Sequence, residues 1–149
     1  MKLKVFKVRE SAKLPVRAHA TDAGADIFYC PEENESLFVY ESESELIPTG
    51  LKIGVPPGYM LEIKNKSGVA FKRSLVVGAC VVDSGYDGEV FVNLHNIGGA
   101  RQTILPGEKV AQIVLVPIIG AEFEETSKDD LYGASTSRGS GALGSTGDF

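Results

Sequence analysis

The 149-residue sequence predicts an all-β fold, a sandwich or barrel of short strands. Apolar side chains recur at every second position, as at Tyr59, Leu61 and Ile63, which is the period of a half-buried strand. Helical periodicity is nearly absent. Turn residues separate the apolar runs, as in the Pro-Pro-Gly run at 56–58 and the glycine pair at 98–99. Many short strands at close spacing are typical of sandwiches and barrels.

Each element follows from its own residues. The segments with strand patterning are, in order, Lys2–Val8, Asp26–Tyr29, Leu51–Val55, Tyr59–Ile63, Val90–Leu94 and Val110–Val116. A helical turn or two is predicted at Gly68–Ser74, between two strand candidates. The acidic run Glu32–Glu45 is predicted to be a solvated surface connection, because charge runs usually are.

Composition limits the possible functions. A hydrophobic content of 43% and a charged content of 23% are ordinary for a globular domain. The net charge of −5 argues against a general nucleic-acid binder, which needs a basic surface. Two cysteines suit a reducing compartment, and no leader or membrane span is recognised. We therefore expect a soluble, cytoplasmic protein with no membrane or nucleic-acid partner.

The C-terminal segment changes character. From about Ser127 the composition shifts to Ser, Gly and Asp, so we predict a β domain over residues 1–126 and a flexible arm over 127–149. Within the arm, residues 138–147 combine one Arg, hydroxyl side chains and several glycines. Those groups suit a triphosphate, although Gly/Ser-rich tails are also commonly plain linkers.

A second informative segment surrounds Asp83. An apolar run ends at Asp83, a glycine-containing turn follows, and the chain continues through Val90 and Val92. This pattern predicts a β-hairpin with a carboxylate at its mouth. Taken alone, the segment favours a turn-forming role for Asp83 over a catalytic one, because Asp is common in turns for local hydrogen-bonding reasons.

Five segments together make the chain similar to the trimeric deoxyuridine triphosphatase (dUTPase) family. They are, in order, residues 20–27 (ATDAGADI), 66–70 (KSGVA), 79–90 (ACVVDSGYDGEV), 107–113 (GEKVAQI) and the tail 138–147 (RGSGALGSTG). Their order and their spread over nearly the whole chain make the resemblance specific. It implies a β jelly roll assembled as a homotrimer, in which the C-terminal arm closes over a neighbouring site.

The resemblance also implies a reaction and its residues: hydrolysis of dUTP to dUMP and pyrophosphate. This reaction limits uracil in DNA and supplies dUMP for thymidylate synthesis. Asp83 would activate water, Mg²⁺ would be bound to the triphosphate, and Asp26 would accept a hydrogen bond from metal-bound water. Asp22, in the same motif as Asp26, is interpreted as a residue that caps a turn. The residues implied to bind substrate are Lys66, Ser67, Gly68, Ala79, Cys80, Val82, Tyr86, Gln112, Arg138, Leu143, Gly144, Ser145 and Thr146. His19 and His95 are read as non-catalytic.

Three residues depart from the family pattern. Lys66 stands where the family usually has Arg, Cys80 where it has Gly, and Leu143 where it has Phe. They bear on affinity and base selectivity more than on the reaction. Two alternatives stay open: a dCTP deaminase or bifunctional deaminase on the same fold, and a regulatory or interaction protein that keeps the scaffold.

Overall fold

The computed structural model describes residues 1–143, 145 and 147. It separates into two compact units, residues 1–119 and residues 120–149. The elements are β1 (Lys4–Lys7), β2 (Ala25–Phe28), β3 (Leu37–Val39), β4 (Ser44–Pro48), β5 (Leu51–Gly54), β6 (Tyr59–Lys64), α1 (Ser67–Arg73), β7 (Leu75–Val77), β8 (Val81–Val82), β9 (Phe91–Asn96), β10 (Gln102–Ile104) and β11 (Lys109–Pro117). The fold is thus mostly β, as predicted.

The strands form small antiparallel sheets. The largest has the order β2-β11-β6-β8, a second has β4-β9-β7, and the remaining pairs are β1-β5 and β10-β3. None of these sheets closes into a barrel within the residues described. Fully buried Ile27, Leu51, Leu61, Leu94 and Ile104 show that strands of every sheet supply one apolar core.

The helix prediction is confirmed with a shift of one residue. Helix α1 runs from Ser67 to Arg73, and Ser74 follows in the left-handed conformation with φ of 54°. The amide of Ser74 donates to the carbonyl of Val69, which closes the last turn. No helix in the described part of the chain is long and apolar enough to cross a membrane.

Two predictions were wrong in part. The acidic run Glu32–Glu45 contains strand β3 and the start of β4, and Val39 within it is fully buried. β3 pairs with β10, so a short apolar run among the charges is enough for a strand. The predicted hairpin around Asp83 is also not a simple one. β7 pairs with β9, but β8 leaves that sheet and pairs with β6.

The second unit, residues 120–149, contains turns and no helix or strand among its described residues. The Arg138 guanidinium donates to the carbonyl of Gly141 at 3.3 Å, and the amide of Gly139 donates to Thr136 Oγ1 at 3.1 Å. The Leu143 and Ser145 side chains are exposed. The predicted substrate residues Gly144 and Thr146 lie outside the described residues.

Candidate active site

Asp83 lies at the end of β8, on the wall of a cavity of about 240 Å³. This cavity, the Asp83 cavity, is lined by Leu46, Ile63, Ala79, Val81, Val82, Asp83, Tyr86, Glu89, Phe91 and Asn93. Four residues predicted from the sequence, Asp83, Ala79, Val82 and Tyr86, therefore come together in one place. Apolar residues make up most of the lining, together with the carboxylates of Asp83 and Glu89, a composition typical of small-molecule pockets.

The turn after Asp83 is held by contacts along its length. The amide of Tyr86 donates to the carbonyl of Asp83 at 3.3 Å, and Gly85 has φ of 86°, a conformation that favours glycine. Ser84 Oγ donates to the carbonyl of Val55 at 3.0 Å, and Lys52 Nζ donates to the carbonyl of Asp87 at 2.9 Å. These bonds fix the turn to β5 and the residues that follow it.

Tyr86 is not a core aromatic residue. Its ring is half exposed and lies over Gly88, where a Cβ would collide with it. Its hydroxyl donates to the carbonyl of Glu89 at 2.9 Å. The ring is therefore held at the mouth of the Asp83 cavity by a local hydrogen bond, in a position to contact an occupant.

Glu89 and Arg9 form a contact that the sequence analysis missed. The Glu89 carboxylate accepts two hydrogen bonds from the Arg9 guanidinium and one, at 2.7 Å, from the amide of Gly50. Arg9 Nε also donates to the carbonyl of Cys30 at 3.1 Å, and the Glu89 hydrogen bond raises the pKa of Arg9. Because the pair joins residues 80 positions apart, no local pattern could have revealed it.

Asp26, Lys66 and Lys109 form a second group, the lysine–aspartate cluster. Lys66 Nζ lies 2.7 Å from Asp26 Oδ1, and Lys109 Nζ lies 2.8 Å from Asp26 Oδ2. Burial acts to raise the pKa of Asp26, but the hydrogen bonds from the two lysines outweigh it and lower the pKa. The sequence analysis gave no role to Lys109.

Gln112 borders the same cluster. In the register of β11 it faces Asp26 of β2 on one side and Lys64 of β6 on the other, and its amide donates to the carbonyl of Asn65 at 2.9 Å. A Cβ at Gly24 would collide with the Gln112 amide, so glycine makes room for it there. The exposed Ser67 and Gly68 follow Lys66 at the start of α1.

The two groups meet β6 at different positions. Val82, the residue before Asp83, pairs with Leu61, whereas Gln112 pairs with Lys64. Three residues along a strand correspond to about 10 Å. Lys66, Ser67 and Gln112 line no part of the Asp83 cavity. The Asp83 cavity and the lysine–aspartate cluster are therefore separate features of one chain.

The predicted role of Asp22 as a turn former agrees with its contacts. Asp22 Oδ2 accepts from the amide of His19 at 2.9 Å, and the amide of Asp22 donates back to the carbonyl of His19 at 3.1 Å. Cys80 is partly exposed, and its carbonyl accepts from the amide of Ile63 at 2.7 Å, which holds it against β6.

The side chains present suit a metal ion that is bound to the substrate better than one that is coordinated directly by the protein. No three His, Cys, Asp or Glu side chains converge in a metal-binding group among residues 1–143 and the described positions beyond them. Mg²⁺ commonly keeps its waters and binds phosphates. A carboxylate has about four acceptor positions, so Asp26 retains capacity for a water beside its two lysines.

The contribution of the lysine–aspartate cluster to the free energy of unfolding can be tested by replacing Asp26. We expect Asp26→Asn to lower the free energy of unfolding by about 1–3 kcal/mol at pH 7, the usual range for hydrogen bonds to charged groups. Because the folded-state pKa lies below the ordinary value of 3.8, this stabilisation is present above that value. It is lost as the pH falls through the folded-state pKa.

Urea unfolding of both proteins between pH 7 and pH 2.5 measures the difference. Asp87→Asn is the control, since the Asp87 side chain is 93% exposed beside Lys52 and such pairs contribute little. An Asp26→Asn difference that stays constant over this pH range would contradict the ion-pair account.

Comparison with known proteins identifies the family. Residues 10–147 match the dUTPase family. The deoxyuridine 5'-triphosphate nucleotidohydrolase of Gloeothece citriformis is 41% identical over 149 residues, covering 99% of this chain and 97% of that protein. The corresponding protein of Hahella chejuensis is 39% identical, covering 97% and 95%.

Solved structures agree. A mutant dUTPase of Staphylococcus bacteriophage 80alpha with dUpNHpp superposes with a TM-score of 0.82 at 27% identity, covering 98% of each chain. A mutant dUTPase from phage phi11 of S. aureus, in which a structural Mg(II) ion is coordinated, gives 0.78 at 28% identity, covering 87% of this chain and 99% of that one. By family match, by curated relatives and by fold, this chain belongs to the dUTPase family.

Proposed function

We propose that this chain hydrolyses dUTP to dUMP and pyrophosphate, with Asp83 as the residue that activates water. The observation that carries the site assignment is the Asp83 cavity, which gathers the carboxylate and Tyr86 around an apolar pocket. The full-length relatives are dUTP nucleotidohydrolases, and a structural neighbour was solved with dUpNHpp. The deaminase and non-enzymatic alternatives are not favoured by these relatives.

The reaction divides between the two groups of residues. Asp83 accepts a proton from a water that attacks the α-phosphorus, the bond to the bridging oxygen breaks, and pyrophosphate leaves. A positioned general base contributes about 10²–10⁴-fold. Lys66, Ser67, Gln112 and the amide of Gly68 are the proposed donors to phosphate oxygens.

Mg²⁺ bound to the triphosphate would neutralise part of its negative charge. Asp26 would then accept hydrogen bonds from the waters of the metal. In this arrangement the chain supplies hydrogen-bond acceptors for the metal-bound waters and no direct metal ligands. Among the described residues, no three His, Cys, Asp or Glu side chains form a group that could bind a metal directly.

The proposed assembly is the jelly-roll homotrimer of the family, with shared sites. The separation of the Asp83 cavity from Lys66 and Gln112 within one chain supports sharing, since neither residue lines that cavity. In this proposal the arm residues Arg138, Leu143, Gly144, Ser145 and Thr146 close over a neighbouring site. Closed threefold symmetry makes the three sites equivalent.

One assay tests the reaction. Pyrophosphate release is measured from dUTP, dTTP, dCTP and UTP side by side, with and without Mg²⁺, and ammonia release is measured from dCTP. We expect pyrophosphate from dUTP far in excess of the others and no ammonia. Ammonia from dCTP, or equal pyrophosphate release from all four nucleotides, would contradict the proposal.

Leu143 should make this chain differ from its relatives in affinity. An aromatic ring over a base contributes roughly 1–3 kcal/mol, and Leu provides apolar contact without a planar stack. We therefore expect Leu143→Phe to lower the KM for dUTP by about fivefold, or about 1 kcal/mol. The hydrolytic step should change less, because the lid contacts the base and not the α-phosphorus.

Steady-state kinetics on dUTP measures this effect, and Leu131→Phe, an exposed leucine of the same unit, is the matched control. An unchanged or raised KM in Leu143→Phe would show that the site has been rebuilt around leucine.

A further inference from the structure

Asn93 holds the backbone where the chain crosses between sheets. β7 pairs with β9, and the ladder extends to Gly78, whose amide donates to the carbonyl of Asn93 at 2.9 Å. The next amide, that of Ala79, donates to the side-chain Oδ1 of Asn93 at 3.1 Å. One residue later the carbonyl of Cys80 already accepts from Ile63 of β6. At the crossing, the Asn93 side-chain oxygen therefore accepts the hydrogen bond of the Ala79 amide that a backbone carbonyl would accept in a regular strand pair.

His95 supports the same oxygen. It lies two residues after Asn93 on β9, hence on the same face, and its Nε2 is 2.9 Å from Asn93 Oδ1. A Cβ at Gly78 would collide with both of these atoms, so only glycine fits against them. Since the amide of Ala79 can only donate, it requires the oxygen of the Asn93 amide to face it. His95 Nε2 then serves as a second donor to that oxygen.

These contacts fix the orientation of the Asn93 amide and therefore the position of its Nδ2 donor. Nδ2 of Asn93 makes no hydrogen bond within the described residues, and Asn93 lines the Asp83 cavity together with Ala79 and Tyr86. Most of the remaining lining is apolar, including Ile63, Val82 and Phe91. Nδ2 is thus a donor with its orientation fixed by Ala79 and His95, at a wall that otherwise offers few polar groups.

We propose that Asn93 is a specificity-determining residue that donates from Nδ2 to the C4 carbonyl oxygen of uracil, and that His95 is its positioning residue. This inference rests on the proposed function. Uracil carries a carbonyl acceptor at C4, where cytosine carries an amino donor. A donor on the protein forms a hydrogen bond with the C4 carbonyl of uracil but faces another donor in cytosine. Sites that hydrogen-bond a substrate group discriminate strongly, because a mismatch leaves buried polar groups unpaired.

Asn93→Asp separates the two functions of the side chain. A carboxylate still accepts from Ala79 and His95, so the crossing stays held, but it offers no donor to the base. We expect the preference for dUTP over dCTP, taken as the ratio of kcat/KM values, to fall at least about tenfold. Where dCTP is not turned over, its inhibition constant against dUTP hydrolysis replaces its kcat/KM. Repulsion between the new charge and the triphosphate weakens the binding of dUTP and dCTP equally, so by itself it leaves the ratio unchanged.

Two further variants complete the test. Asn34→Asp introduces the same charge at an exposed position away from the Asp83 cavity and should leave the ratio unchanged. His95→Ala removes one of the two donors to Oδ1 at an exposed site and should lower the ratio by a smaller factor, about twofold to fivefold. If Asn93→Asp does not fold, the ratio measured for His95→Ala tests the proposal in its place.

An unchanged ratio in folded Asn93→Asp, or in His95→Ala when the first variant is unfolded, overturns the inference. A wild-type protein that releases no pyrophosphate from dUTP overturns the proposed function instead, before any selectivity is measured. The two failures are therefore distinguishable.

Discussion

Asp83→Asn is expected to lower kcat for dUTP by at least about 100-fold while the protein stays folded. The amide has the shape of the carboxylate but cannot accept the proton of the attacking water, and a positioned base contributes about 10²–10⁴-fold. The fold should survive because Asp83 is exposed and the turn is held by its backbone and by Ser84. Pyrophosphate release, together with circular dichroism and thermal unfolding, measures both quantities.

Asp87→Asn is the matched control for this change. Asp87 lies on the same turn, is exposed and pairs only with Lys52 Nζ among the described residues. Its replacement should keep turnover within a few-fold of the wild-type value. Near wild-type turnover in folded Asp83→Asn would contradict the assignment of Asp83 as the base.

Deletion of residues 137–149 is the second change with a large expected effect. It removes Arg138 and the hydroxyl side chains proposed to close the phosphate site, so efficient hydrolysis should be lost. Stability should change little, because the described residues of this segment are nearly all exposed and belong to the second unit. A shorter deletion of Asp148 and Phe149 alone, which spares residues 138–147, should retain activity and is the control.

Mixing experiments test whether arms cross between chains. Truncated chains carry an intact Asp83, whereas Asp83→Asn chains carry an intact arm, so mixed assemblies of the proposed trimer can combine both in one site. We expect partial recovery of dUTP hydrolysis on mixing. Normal hydrolysis by the truncated protein alone would show that the arm is dispensable, and no recovery in proven mixed trimers would contradict sharing.

Periodicity predicted the longer strands because they contain enough alternations to be recognised. The predicted segments at 59–63 and 110–116 correspond to β6 and β11, with small changes at their ends. β8 has two residues and β3 and β10 have three, which is too short for a period of two to stand out. The acidic neighbours of β3 hid its buried Val39.

Strand partners and distant contacts could not be read from local sequence. The segment around Asp83 has the composition of a hairpin, yet β8 pairs with β6 because the chain crosses between sheets at residues 78–80, where the Asn93 side chain holds it. The family resemblance named Asp83, Tyr86 and Gln112 in advance. It assigned no role to Glu89 or Lys109, whose partners Arg9 and Asp26 lie far away along the chain.

The position of β11 has a consequence for how the chain acquires its structure during synthesis. β11 is the last strand of the described chain, yet it lies between β2 and β6 in the largest sheet. Its pairing with β2 joins residues roughly eighty positions apart, as in Phe28 with Lys109, and such distant pairings form slowly. A chain growing from its N-terminus therefore carries β2 and β6 with unpaired edges until residue 117 has been added. We expect folding of residues 1–119 in one late step, and chains terminated before β11 should be prone to aggregate through those edges.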